Sequence, residues 1–311
     1  MKNKQMEIFD MSMPTLTYAV RSDMGRKREN NEDNLYACGI TLTAENRNEP
    51  FSFDGLVSAP CLFAVCDGMG GEADGEFASM SAVTELAKFV ECINVAEQPD
   101  LIVQEYVTKT NTLLCDAMRE RSVRMGTTLA LAAVRPDGVH AYSIGDSRIY
   151  ALCGGEFRQI SSDHTLVAPK IKMGLLTDEQ ARQDKDWHKL TAYLGVFEDE
   201  LEICADVLPV LSFENGLRLL MCSDGLTDMV LDNRIEEILC ASLTATEAAD
   251  VLLKEALDNG CKDNITIIVL DIPPTEPQSE QQPKKQSVFE TAKIAVTELP
   301  KLITRGRGVR K

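Results

Sequence analysis

The segment TTLALAAVRPDGVHAYSIGDSRIYALCGGEFRQI, residues 127–160, decides the fold class. Short runs rich in Val, Ile, Leu, Tyr and Ala are broken by Pro136-Asp137-Gly138 and by Cys153-Gly154-Gly155, which are turn signals. Residues 127–134, 138–144, 148–152 and 156–160 therefore read as consecutive strands of one antiparallel meander. Upstream the period changes to that of a helix. Phe77, Met80, Val83, Leu86, Ala87 and Val90 recur at helical spacing within 76–91, and a second helix is expected over 99–121. Further strands are expected at 16–21, 61–66, near Cys204, at 217–222 and at 265–270, with amphipathic helices at 233–241 and 244–257. Strands and helices come in clusters rather than in strict alternation. That order predicts an α+β fold of antiparallel sheets with helices outside.

Two stretches stand apart from this pattern. Residues 162–200 form a polar insert. It carries one expected short helix at 177–183, with Thr177 as N-cap and Gln180 three residues on. After Asp271 the composition shifts again, with four prolines and many Gln and Glu in 272–286. The chain thus divides into a domain at 1–271 and a Pro/Gln-rich linker with a basic, disordered tail at 272–311. That tail carries eight Lys or Arg against four Glu, so it is +4 while the rest of the chain is −21.

The 311 residues are 44% hydrophobic and carry a formal charge of −17. The chain is long enough to bury a sizeable core. So acidic a surface repels nucleic acid and anionic membrane. No apolar run reaches the length of a membrane span, and 1–13 has no apolar stretch of signal-peptide type. The ten cysteines include no CxxC pair, and most lie in apolar context, as at Cys61, Cys66, Cys204 and Cys222. Reduced thiols in a soluble, cytoplasmic protein fit that usage.

Five aspartates stand where short apolar runs end or begin: Asp33, Asp67, Asp146, Asp224 and Asp263. A carboxylate at the end of a buried strand is costly to desolvate unless something positive meets it. Five of them suggest a shared cation, and oxygen-only ligands point to magnesium or manganese rather than zinc. Two such ions with a common ligand are a known device for phosphoester hydrolysis. Asp67 is the best candidate for the bridge, with Gly68 letting a backbone carbonyl approach a metal. Asp224-Gly225 and Asp263-Asn264 repeat the strand-end design, and Asp146 is a fourth candidate ligand. Glu32 and Asp33 would hydrogen-bond water around the metals, and Arg28 would meet a phosphate. Taken singly, an Asp-Gly is more often a turn, and Gly-Asp-Ser-Arg a hairpin with a local ion pair. The ordered occurrence of all five argues for a site.

The ordered motifs are Ser22-Asp23-Met24-Gly25 through Asn30-Asn31-Glu32-Asp33, Asp67-Gly68-Met69-Gly70-Gly71, Gly126-Thr127-Thr128, Gly145-Asp146-Ser147-Arg148, Ser223-Asp224-Gly225 and Lys262-Asp263-Asn264-Ile265-Thr266. As a set they resemble the bacterial protein phosphatases of type 2C, members of the metal-dependent protein phosphatase family. The resemblance spans roughly residues 16–270. It implies a four-layer α-β-β-α sandwich of two antiparallel sheets flanked by helices. It also implies hydrolysis of phosphoserine and phosphothreonine in proteins by a hydroxide bridging two manganese or magnesium ions, in opposition to a cognate Ser/Thr kinase. By motif match Asp67 bridges the metals, Gly68 offers its carbonyl, Asp224 and Asp263 complete the second position, and Asp146 with Asp224 holds a weaker third ion. Arg28 binds the substrate phosphate, and Asp33 orients metal-bound water. Residues 166–200 correspond to the flap beside the active site.

Three departures from the family stand out. Met69 occupies a position where eukaryotic relatives often carry His, which leaves His164 as a candidate proton donor beside a metal-bound water; His140 and His188 read as structural or exposed. The flap reads Thr191-Ala192-Tyr193-Leu194-Gly195 where relatives often have Thr-Arg-Ala-Leu-Gly. Pro169 interrupts a stretch that is commonly helical. The competing reading is a catalytically silent regulatory module on the same fold, which the loss of Asp67, Asp224 or Asp263 would favour; all three are present.

Overall fold

The computed structural model describes residues 13–71 and 73–274, so nearly all of the expected tail lies outside the described residues. Two antiparallel sheets face each other. One has six strands in the order β10 (Glu156–Gln159), β9 (Arg148–Cys153), β12 (Leu217–Cys222), β13 (Ile265–Ile272), β1 (Leu16–Asp23) and β3 (Phe51–Val57). The other has five, in the order β11 (Asp206–Val207), β8 (Gly138–Ile144), β7 (Leu129–Arg135), β4 (Cys61–Cys66) and β2 (Asn34–Ala37). A two-stranded ribbon pairs β5 (Gly68–Met69) with β6 (Gly126–Thr127).

The central strands are apolar on both faces because both faces are covered. Along β12, Leu219 and Met221 point to the inter-sheet core, while Leu220 and Cys222 point to the helices. Along β7, Ala130, Ala132 and Val134 face inward, and Leu129, Leu131 and Ala133 face outward. This is the two-residue period of a strand with a helix layer behind it. Helices α1 (Ala73–Val95) and α2 (Pro99–Arg121) cover the five-stranded sheet through Val83, Leu86, Tyr106 and Val107. Four short helices complete the order: α3 (Ala168–Lys172), α4 (Asp178–Ala181), α5 (Asp224–Thr227) and α6 (Asp232–Cys240). The last helix among the described residues, α7 (Ala245–Asp258), joins α6 over the six-stranded sheet through Ile235, Ala248 and Leu252. The layers are helix, sheet, sheet, helix, as the family resemblance implies.

The single meander expected over 127–160 is a pair of hairpins on different sheets. β7 pairs with β8, and β9 pairs with β10, but β9 lies beside β12 in the opposite sheet. The chain crosses between sheets at Gly145-Asp146-Ser147, where Gly145 takes φ +99° and a Cβ would lie 2.6 Å from the Thr128 side chain. Apolar alternation is the same on either sheet, so periodicity cannot show the crossing. The expected strand 127–134 is also split at Thr128, whose backbone N–H donates to the Asp67 carbonyl instead of to a ladder partner. Pro169 does not interrupt a helix but starts one. It lies in the first turn of α3, where its missing N–H costs nothing. The expected capping box is present on α4, with the Gln180 N–H donating to Thr177 Oγ1 and the Thr177 N–H to Gln180 Oε1. β13 runs to Ile272, one residue past the expected domain boundary, and that residue is buried.

β12 and β13 meet at the end of the sandwich where α5 begins, and their spacing leaves no room at Gly225. A Cβ there would lie 1.9 Å from the carbonyl oxygen of Asn264, a backbone atom that cannot swing aside. Gly225→Ala is therefore expected to destabilise the fold by about 1–3 kcal/mol. A fall in the urea midpoint at unchanged slope measures it; an unchanged midpoint would contradict this packing.

Candidate active site

The acids singled out in the sequence converge at one end of the sandwich. Asp67 follows β4, Asp146 lies in the crossing between β8 and β9, Asp224 opens α5 after β12, and Asp263 precedes β13. Because β12 and β13 are antiparallel, with Cys222 opposite Ile267, the end of one and the start of the other share an edge. The remaining two acids arrive from the facing sheet. All four line one cleft of about 730 Å³, together with Arg28, Glu32, Gly68, Met69, His188 and Tyr193.

Burial and mutual repulsion set the charge state of this cluster. Burial pushes the Asp67 carboxyl well above the usual carboxylate range, and the charges of Asp33, Asp224, Asp146 and Asp263 push it further. Asp146 is raised in the same way, by burial and then by Asp224 and Asp163. Asp33 is buried and pushed up to about 7, with the Ser223 hydroxyl partly opposing the shift. Ser223 Oγ donates to Asp33 Oδ2 at 2.7 Å, while Asp33 Oδ1 is buried with no hydrogen-bond partner among the described residues. Carboxylates pressed together this way, with an orphaned oxygen beside them, are the donor set of a hard divalent cation. The residues present therefore fit manganese or magnesium.

A hydrogen-bonded frame holds the acids in place. Thr128 Oγ1 accepts the Asp67 N–H at 2.9 Å, the Thr128 N–H donates to the Asp67 carbonyl at 2.9 Å, and the Thr128 hydroxyl bonds Ser147 Oγ at 2.7 Å. One side chain thereby joins Asp67 to the turn that carries Asp146. Asn264 does the same for the Arg28–Asp33 loop. Its Nδ2 donates to the carbonyls of Met24 and Asn30 at 3.1 and 3.0 Å, and its Oδ1 accepts the Glu32 N–H at 2.8 Å. Gly68 has no space for a side chain, since a Cβ would lie 2.2 Å from the Gly75 carbonyl oxygen and 2.4 Å from that of Glu32. Arg28, half exposed at the cleft, donates from Nη2 to Asp263 Oδ2 at 2.9 Å and lies 3.8 Å from Glu32 Oε1. A guanidinium so placed can meet a phosphate oxygen.

The histidines are arranged differently from the sequence reading. His164 does not line the cleft. Its Nδ1 accepts the Gly145 N–H at 3.2 Å and its Nε2 lies 3.0 Å from Asp206 Oδ2, so both nitrogens are engaged in holding the crossing turn. That arrangement speaks against a proton-donor role. His188 does line the cleft, with Nδ1 3.4 Å from Asp224 Oδ2 and Nε2 3.6 Å from Asp228 Oδ2. Its ring is pushed up to about 9, chiefly by its contact with the Asp224 carboxylate. Sequence reasoning also missed the structural parts played by Thr128 and Asn264. Both stood inside the quoted motifs, which was the only signal for them.

Cations and protons compete for these carboxylates. At a pH below about 7, Asp33 holds a proton, and the raised carboxyls of Asp67 and Asp146 resist ionising as well. Manganese binding is therefore expected to release protons and to tighten as pH rises through that value. Calorimetry in two buffers of different ionisation enthalpy measures the release; the same heat in both buffers would contradict it.

Comparison with known proteins places the chain in a family. Residues 47–259 match the family model described as protein phosphatase 2C. The chain is 34% identical over 257 residues to the serine/threonine phosphatase stp of Listeria monocytogenes, covering 81% of this chain and 94% of that protein. Among solved structures it is similar to the serine/threonine phosphatase Stp1 from Staphylococcus aureus, with 30% identity, a TM-score of 0.70, and coverage of 88% of this chain and 99% of that one. It is also similar to the catalytic domain of the serine/threonine protein phosphatase PstP in complex with two manganese ions, with 30% identity, a TM-score of 0.67, and coverage of 83% and 99%. The chain belongs to the metal-dependent protein phosphatase 2C family and is a protein serine/threonine phosphatase of the bacterial type.

Proposed function

We propose that the cleft hydrolyses phosphoserine and phosphothreonine in cytoplasmic proteins, reversing the work of a cognate Ser/Thr kinase. The observation that carries this reading is the convergence of Asp67, Asp224 and Asp263 in one cleft with Arg28. Asp67 and the Gly68 carbonyl would hold one divalent ion, and Asp67, Asp224 and Asp263 a second. Asp146 with Asp224 would hold a weaker third. Manganese or magnesium bound there would supply Lewis-acid activation of water and would neutralise charge on the phosphoryl group.

The chain's own residues do the rest. Arg28 binds phosphate oxygens, and its link to Asp263 sets the direction of the guanidinium before substrate arrives. Asp33, fixed by Ser223, orients water at the acid cluster through the oxygen that has no hydrogen-bond partner among the described residues. Thr128 and Asn264 keep the acids from moving apart under their mutual repulsion. A silent regulatory module would lack one of the three ligand carboxylates, and this chain keeps all of them.

The deciding experiment is hydrolysis of a phosphothreonine peptide with and without manganese. Wild type is expected to turn over only with metal, and Asp224→Asn to lose activity while keeping its fold by circular dichroism. Arg28→Ala is expected to raise KM by about tenfold or more, the loss of one charge-assisted contact to phosphate. Metal binding without any turnover in wild type would overturn the reading in favour of the silent module.

A further inference from the structure

His188 on the flap and Asp228 at the end of α5 are left unused by the two-ion reading, and both lie beside Asp224, which that reading does use. His188 projects from the flap toward Asp224 and Asp228, and one ligand atom from each of the three lies within 4.8 Å of the others. The two carboxylates are one helical turn apart, and the Asp228 N–H donates to the Asp224 carbonyl at 2.8 Å, so both side chains leave the same face of α5. Asp228 is also oriented from behind. Its Oδ2 faces His188, while Oδ1 accepts the Trp187 indole N–H at 2.9 Å. A hydrogen bond to the far oxygen of a ligand carboxylate is the usual support of a metal position. The flap is fastened beside the cluster without any ion, because Arg182 Nη1 donates to the Thr227 carbonyl at 2.6 Å and its guanidinium lies over the Trp187 ring at 5.3 Å.

We propose that His188, Asp224 and Asp228 form an additional cation site joining the flap to α5, and that it takes a borderline divalent ion of the zinc or cobalt class. Ligand chemistry decides the class. Magnesium and manganese favour all-oxygen donors, whereas an imidazole with two carboxylates suits zinc. Three protein ligands leave a fourth position for water. The site differs from the weaker third position implied by the family resemblance, which needs Asp146 and Asp224 and no histidine. Asp224 belongs to both groups, since a carboxylate has two oxygens and Oδ2 is the one facing His188. An ion here would pin the flap against α5 and bear on the acid cluster through Asp224.

The chain supplies its own reporter. Its single tryptophan is Trp187, and that indole touches Asp228. The full-length protein, stripped of metal with chelator, is titrated with zinc while Trp187 fluorescence is read, and zinc affinity is measured separately by calorimetry. Wild type is expected to show a saturable fluorescence change. His188→Ala and Asp228→Asn should each weaken zinc binding at this site by about tenfold or more. His188 is exposed, so its replacement leaves the fold intact. Asp146→Asn and Asp67→Asn should keep the zinc-induced response, which separates this site from the third position and from the two-ion reading. The proposal is overturned if zinc leaves Trp187 fluorescence unchanged. It is overturned equally if zinc affinity survives both His188→Ala and Asp228→Asn, or if Asp146→Asn removes the response and His188→Ala does not.

Discussion

Repulsion among buried carboxylates is the constraint around which this molecule is organised. Asp33, Asp67 and Asp146 are pushed upward in pKa chiefly by burial and then by neighbouring carboxylates, with Asp224 acting on all three. An acid whose folded pKa exceeds its ordinary value binds more protons folded than unfolded. For Asp33 the two values are about 7 and 3.8, so its contribution to stability falls as pH rises between them. A divalent cation reverses that penalty by making the ionised form the favourable one. The site therefore sets fold stability and metal affinity against each other, and the sandwich must be rigid enough to hold the acids together without the ion.

Much of that rigidity comes from polar groups that tie distant segments together. Thr128 joins two strand ends of one sheet to the crossing turn, and Asn264 fastens the Arg28–Asp33 loop to the start of β13. Arg148 does similar work at the other end of the crossing. Its guanidinium is nearly buried, binds Asp163 through Nε and Nη2, and reaches Tyr150 and Asp232 through Nη1. Opposite charge is what makes a buried guanidinium tolerable there. The cleft is thus bounded by a fixed wall on the sheet side, while on the other side the flap holds to α5 through Arg182, Trp187 and His188.

The layers and the acids of the cleft were legible in the sequence, and the reasons are physical. Strands buried on both faces are short, apolar and bounded by turns, so β4, β8 and β12 could be read with correct ends. The acids were legible because each stops or starts such a run. The edge strand β3 was not, because its burial alternates and its sequence, FSFDGLV, mixes polar and apolar residues. Sheet membership was also hidden, since the β7–β8 and β9–β10 hairpins have the same local pattern and differ only in which neighbour they pair with. His164 looked better placed than His188 because it sits beside a strand, whereas His188 follows a charged stretch with no period. Only the packing of the flap on α5 separates the two.

The position of β13 has a consequence for how activity first arises. It is the last strand among the described residues, yet it lies between β12 and β1 inside the six-stranded sheet, and it brings Asp263 to the cleft. One edge of β1 pairs with the nearby β3, but the other must wait for a partner from the far end of the domain, and pairings of such long separation close slowly. During synthesis from the N-terminus, every earlier segment can emerge while the six-stranded sheet still lacks a central member. The nascent chain then holds Asp67, Asp146 and Asp224 without the last carboxylate, and Arg28 without its partner Asp263. An unfinished chain therefore presents an incomplete acid cluster, and the cleft is assembled only once β13 is in place.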